Sequence, residues 1–107
     1  MSRATSSSDA FRAIADPTRR AVLDLLQTGE RPVGQLAQSF RMTQPALSQH
    51  LKVLRDAGLV SQRHVGRERL YRLEPQRLKS IADWIGAYEQ FWRGKMKALG
   101  EFLEKKP

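Results

Sequence analysis

The chain has 107 residues, enough for one domain with a small core, and its 40% hydrophobic and 28% charged residues exclude a disordered composition. It has no cysteine, which excludes disulfides and thiolate metal centres. Lys and Arg number 19 against 11 Asp and Glu, and the net charge of +8 points to a polyanionic partner, either nucleic acid or an anionic membrane surface.

Residues 1–8 (MSRATSSS) are short and serine-rich and read as a frayed end. A first helix is predicted from Ser8 or Asp9, carrying Phe11, Ile14 and Ala15. Asp16-Pro17 ends it and starts a second, because Asp caps a helix and Pro fits its first position. Val22, Leu23, Leu25 and Leu26 give that helix an apolar stripe, and Thr28-Gly29 stops it. A short third helix follows Arg31-Pro32, with Val33, Leu36, Ala37 and Phe40 at helical spacing. Thr43 then caps a fourth, over 43–57, in which Leu47, Leu51 and Leu54 recur at i, i+4 and i+7 and Gly58 takes the post-helix position.

After Gly58 the period changes to two. Strands are predicted over 59–65 and 69–74 around a turn at Gly66-Arg67-Glu68, with Tyr71 and Leu73 sharing a face. Pro75 closes the hairpin, and a long helix runs from Gln76 to about Lys105. Leu78, Ile81, Ile85, Tyr88, Trp92, Met96, Leu99 and Leu103 form one stripe of that helix, and Trp84, Ala87, Phe91, Ala98 and Phe102 form another beside it. At roughly 45 Å it is longer than so small a domain is wide, so part of it must pack outside its own core. Gly86, Gly94 and Gly100 mark either close helix approach or a break near Gly94. The predicted fold is mainly α with a small β-hairpin wing, a winged helix-turn-helix occupying the whole chain.

The fourth helix is the informative one. Gln44, Ser48, Gln49, Lys52 and Arg55 lie away from its leucines, and His50 flanks the apolar stripe. Short amide and hydroxyl side chains at the start of a helix are what base-edge reading in the major groove needs, while Lys52 and Arg55 suit phosphates. The competing reading is a solvated face, which the absence of Glu there disfavours. Arg63, His64, Arg67 and Arg69 crowd the hairpin turn, a cost in isolation that reverses along a phosphate backbone. The alternative is an ordinary charged hairpin tip.

Two histidines and no cysteine make no zinc cluster, and neither a nucleophile elbow nor a glycine-rich phosphate loop is present. No enzyme, metal or cofactor is expected. The aromatic run Trp84, Tyr88, Phe91, Trp92 reads as core or interface before a small-molecule pocket. No apolar run approaches the ~18 residues of a membrane-spanning helix and no signal-peptide core follows Met1, so a cytoplasmic protein is expected. A winged-helix module that docks a protein through its aromatic helix stays open as an alternative to DNA binding.

"AIADPTRRAVLDLL" and "TQPALSQHLKVLRDAGLVSQRHVGRERLYRL" resemble the arsenic-repressor-type (ArsR/SmtB) winged-helix regulators over about Phe11 to Pro75, and the last helix does so loosely. The resemblance implies a homodimeric transcriptional repressor of an inverted-repeat operator in double-stranded DNA, joined through its first and last helices. It implies base readout by Gln44, Ser48, Gln49 and His50, and backbone contacts from Thr43, Lys52, Arg55, Arg63, Arg67 and Arg69. It places the dimer interface at Phe11, Ile14, Trp84, Tyr88, Phe91 and Trp92. The chain lacks the cysteines of metal-sensing members in "ERPVGQLAQ" and has no histidine in its last helix. It therefore resembles a metal-independent branch whose inducer is a small molecule, a protein or absent.

Overall fold

Two helix ends organise the molecule. In the computed structural model, which describes residues 7–104, α1 (Ser7–Ala13) stops at the Asp16-Pro17 turn and α2 (Pro17–Leu26) starts there. Asp16 is the N-cap, its Oδ2 accepting from the Arg19 amide at 3.0 Å. α3 (Val33–Phe40) and α4 (Gln44–Asp56) are then joined by only three residues, with Thr43 Oγ1 capping α4 through the Ala46 amide at 3.3 Å.

Both helices of this pair end in the same backbone device. At α3, Met42 N–H bonds to Ala37 O and Arg41 N–H to Gln38 O, with Arg41 in the left-handed region at φ 53°. At α4, Leu59 N–H bonds to Leu54 O and Gly58 N–H to Arg55 O, with Gly58 at φ 77°. These are Schellman closures, which satisfy the carbonyls a helix end leaves open. Glycine fills the second site without strain, whereas an L-residue pays for the first.

Leu59 leads from α4 into the hairpin of β2 (Val60–Val65) and β3 (Glu68–Leu73), turned by Gly66 and Arg67 alone. A two-residue strand, β1 (Arg31–Pro32), pairs with the other edge of β3, giving a three-stranded antiparallel sheet in the order β1-β3-β2. Leu47, Leu51 and Leu54 of α4 meet Val22, Leu36 and Leu59 in a fully buried core, closed on the sheet side by Tyr71. Among the described residues no polar or charged side chain is buried.

Pro75–Leu78 is a 3-10 turn, followed by α5 (Lys79–Glu104) of 26 residues. Only Ile81 of α5 is buried in the core, with Ile85 packed beside it. The rest of the helix projects, and the radius of gyration is 18.0 Å where a compact chain of this length would have about 13 Å.

Several expectations are corrected. α1 begins at Ser7, one residue before the expected start, and stops at Ala13, so Ile14 and Ala15, expected in this helix, lie in the turn after it; residues 1–6 lie outside the described residues. β1 was expected only as the approach to a helix. The wing is one residue shorter at each outer end than expected, because Leu59 is spent on the Schellman closure and the second strand stops at Leu73. In compensation, Glu68 pairs with Val65 inside the ladder instead of belonging to the turn. The last helix opens as a 3-10 turn and runs unbroken through Gly94, with Lys105 beyond the described residues. Apart from the adjoining backbone of α5 itself, no described atom lies within 4 Å of the space a Cβ would occupy at Gly86, Gly94 or Gly100, so these glycines mark no close approach to another described element.

Candidate nucleic-acid interface

α4 turns its leucines inward, which fixes where the other side chains go. Gln44, Gln49, Lys52 and Arg55 are exposed and Ser48 is half-buried. Ser48, Gln49, Lys52 and Arg55 line an open groove of about 220 Å³ with Arg69 and Tyr71 of β3. A wider concavity of about 970 Å³ adjoins the other end of α4, where Gln44, Arg41 and the first turn of α3 face Arg67, Glu68 and Arg69 of the wing. Helix start and wing tip thus flank one surface. Lys52, Arg55, Arg67 and Arg69 have no acidic partner among the described residues.

The hairpin divides its charges by strand alternation. Residues opposite one another in an antiparallel pair share a face. Gln62 pairs with Tyr71 and His64 with Arg69, so His64 and Arg69 lie on the face that Tyr71 turns toward α4. Ser61 pairs with Arg72 and Arg63 with Leu70, so Arg63 and Arg72 lie on the opposite face. There Arg63 grips Glu30 through Nε and Nη2, each 2.8 Å from a carboxylate oxygen. Arg72 donates to Glu74 at 2.8 Å, and Ser61 donates to the same carboxylate at 2.9 Å. The Arg63 hydrogen bond holds the Glu30 carboxyl below its ordinary range, and that from Arg72, with Ser61 behind it, does the same for Glu74. Arg63, expected at the DNA backbone, lies on the far face of the wing, its side chain 64% exposed and paired with Glu30.

His50 was expected among the base readers. Its side chain is instead only 24% exposed and turned toward the start of α2, with Nδ1 3.3 Å from Arg19 Nη1 and 3.9 Å from Asp16 Oδ2. The Arg19 amide, first, holds the Asp16 carboxyl below its usual range. Sequence reading missed this cluster. Its only signal was "DPTRR", in which Asp16 was read as a cap and Arg19 as nothing in particular.

Four of the residues expected at a dimer interface, Phe11, Trp84, Tyr88 and Phe91, form a ladder, and Trp92 is 52% exposed beside it on α5. Phe11 meets Trp84 edge to face at 5.6 Å between ring centres, Trp84 meets Tyr88 at 5.4 Å, and Tyr88 meets Phe91 at 6.4 Å. Ile14 is half-buried against the core. The ladder is open to solvent on its outer side: Trp84 is 56% exposed and Phe91 58%, and Met96, further along α5, is 70% exposed. Among the described residues no group of three or more His, Asp or Glu converges as a metal site, and no helix is long and apolar enough to cross a membrane.

Residues 16–62 match the model of the bacterial regulatory proteins of the arsR family. An HTH-type transcriptional regulator of Mycobacterium tuberculosis is 36% identical over 104 residues, covering 97% of this chain and 94% of its own. The transcriptional repressor SdpR of Bacillus subtilis is 37% identical over 75 residues, covering 70% of this chain and 83% of its own. The crystal structure of an ArsR family transcriptional regulator superposes with a TM-score of 0.71 at 32% identity, covering 87% of this chain and 97% of the other.

Proposed function

Given that the chain belongs to the ArsR family of bacterial regulatory proteins, and with it to DNA-binding transcriptional regulators and not to enzymes, we propose that it acts as a homodimeric repressor of an inverted-repeat operator. Each copy lays α4 in the major groove, where Gln44, Ser48 and Gln49 read base edges. Thr43, Lys52, Arg55, Arg67 and Arg69 hold phosphates, and the two copies join through Phe11 and the aromatic face of α5. Arg63 belongs to the wing's own ion pairs, and His50 supports the helix from behind. The protein works in the cytoplasm, beside the DNA it binds.

The observation that carries this reading is the groove between α4 and β3, where an amide, two hydroxyls and three cations converge with no carboxylate among them. Anionic backbone on the rim and base edges on the floor match that composition. The exposed ladder supports the dimer, because a contiguous aromatic face of this kind marks an interaction site. With no cysteine in the chain and no histidine in α5, the donor set does not fit a thiolate or histidine metal sensor. We place the chain in a metal-independent branch, its effector an organic molecule, a protein or none.

Selection from a pool of random duplexes by the purified protein tests the reading. The expected result is an enriched inverted repeat with half-site centres one helical turn apart, about 10–10.5 base pairs, or a multiple of it. Enrichment of an unrepeated sequence, or of none, overturns it.

A further inference from the structure

Arg19 lies in the first turn of α2 and uses every nitrogen of its guanidinium. Nε donates to the Ala13 carbonyl at 2.7 Å, Nη2 to the Arg12 carbonyl at 3.3 Å, and Nη1 to His50 Nδ1 at 3.3 Å. Arg12 and Ala13 are the last residues of α1, and His50 stands in the middle of α4. Arg20 takes the next carbonyl, that of Ile14, at 2.8 Å. One side chain therefore ties the end of the helix that opens the aromatic ladder to the helix that carries Gln49.

We propose that Arg19 is a positioning residue for DNA recognition: it fixes the angle between α4 and α1, and hence between each reading helix and the dimer's two-fold axis. The inference rests on the dimeric reading above. A guanidinium is suited to the task because its rigid fork sends N–H groups in divergent directions, whereas a lysine ammonium is a single point of charge that cannot reach all three acceptors. A guanidinium only donates, so His50 Nδ1 is the acceptor in this contact. Asp16, whose Oδ2 is 3.9 Å from the same nitrogen, fixes the turn from which Arg19 projects by capping α2 through the Arg19 amide. A contact that merely added stability would, when lost, weaken binding to every duplex alike. A contact that sets an angle would, when lost, spare non-specific binding and blur the spacing the dimer demands.

The test uses the duplex that the parent protein enriches from a random pool. Affinities of the parent and of Arg19→Lys are measured for that duplex, for versions with one base pair added or removed between half-sites, and for a random duplex. Thermal melting and sedimentation establish that each variant is folded and dimeric. Arg19→Lys is expected to keep the parent's affinity and salt dependence on random duplex. On the selected duplex it loses about tenfold, the weight of one charge-assisted hydrogen bond, and it discriminates less between spacings. Equal losses on all duplexes, or unchanged affinity and spacing preference on the selected one, overturn the proposal.

If Arg19→Lys does not fold, His50→Leu cuts the same link from the other side. It should relax the spacing preference, and His50→Gln, whose amide oxygen still accepts, should restore it; a preference intact in His50→Leu overturns the proposal. Where both variants fold, the double variant should lose no more than the worse single one, because both cut one link. Losses that multiply count against it. A parent that enriches nothing sinks the dimeric reading beneath this inference, while a selective parent with an indistinguishable Arg19→Lys variant sinks the positioning role alone.

Discussion

Gln49 offers a donor and an acceptor side by side at the centre of the α4 groove, while Arg67 offers charge at the tip of the wing. Gln49→Ala is expected to cost about 1–3 kcal/mol on the selected operator and to relax preference at one base position. Arg67→Ala is expected to weaken all duplexes alike and to flatten the dependence of affinity on salt, because a phosphate contact carries no sequence information. Titrations of both variants on operator and random duplex at several salt concentrations separate the two roles. The far face of the wing obeys different chemistry. Glu30 is held below the ordinary glutamate value of 4.5 by Arg63, so the pair stabilises the fold above that pH. Its contribution disappears as acid takes the pH down through the lowered value. The melting-temperature difference between the parent and Glu30→Gln, which isolates this pair, should therefore hold from neutral to about pH 4.5 and shrink below it. Glu30→Gln should melt lower at neutral pH and show a shallower acid limb. These placements were not legible in the sequence. Arg63 finds Glu30 across 33 residues and His50 finds Arg19 across 31, distances at which neither period nor local charge carries information.

α3 and α4 end in the same Schellman geometry with different residues at the left-handed position, and the pair makes an internal control. Arg41→Gly should relieve strain and stabilise the fold by up to about 1 kcal/mol. Gly58→Ala should destabilise it by about 1–2 kcal/mol, since it adds left-handed strain and sets a methyl 3.1 Å from Arg77 Cγ. Denaturant melts of the two variants against the parent should move in opposite directions. At this scale most of the fold was legible. Leu47, Leu51 and Leu54 announced α4 by their spacing, Asp16 and Thr43 announced helix starts, and Gly58 announced a stop. β1 was not legible, because two residues have no period; Arg31 and Pro32 become strand only because β3 presents them an edge to pair with. Leu59 was misread as strand because an apolar residue before a β-branched run fits either a ladder or a helix closure.

At the scale of the whole molecule, α5 decides the shape. The protein measures 61 × 35 × 20 Å along its principal axes, and the long dimension reflects a helix of 26 residues, about 39 Å, whose later turns leave the core. The sequence foretold this surplus, since two adjoining apolar stripes exceed what one small core can cover. It left open what the surplus packs against. On the dimeric reading, Trp92→Glu should shift sedimentation toward the protomer and lower affinity for the inverted repeat. Affinity for a single half-site should stay near the parent's, because Trp92 is 52% exposed and stands outside the buried core. The projecting end of α5 also bears on how much of this protein a cell must make. A helix whose outer turns are completed only by a twin is soft when copies are scarce and firm when they are plentiful. On the dimeric reading, repression built on such a part rises as the square of protein abundance at low dose, so a gene under its control would respond to expression level as a threshold and not as a ramp.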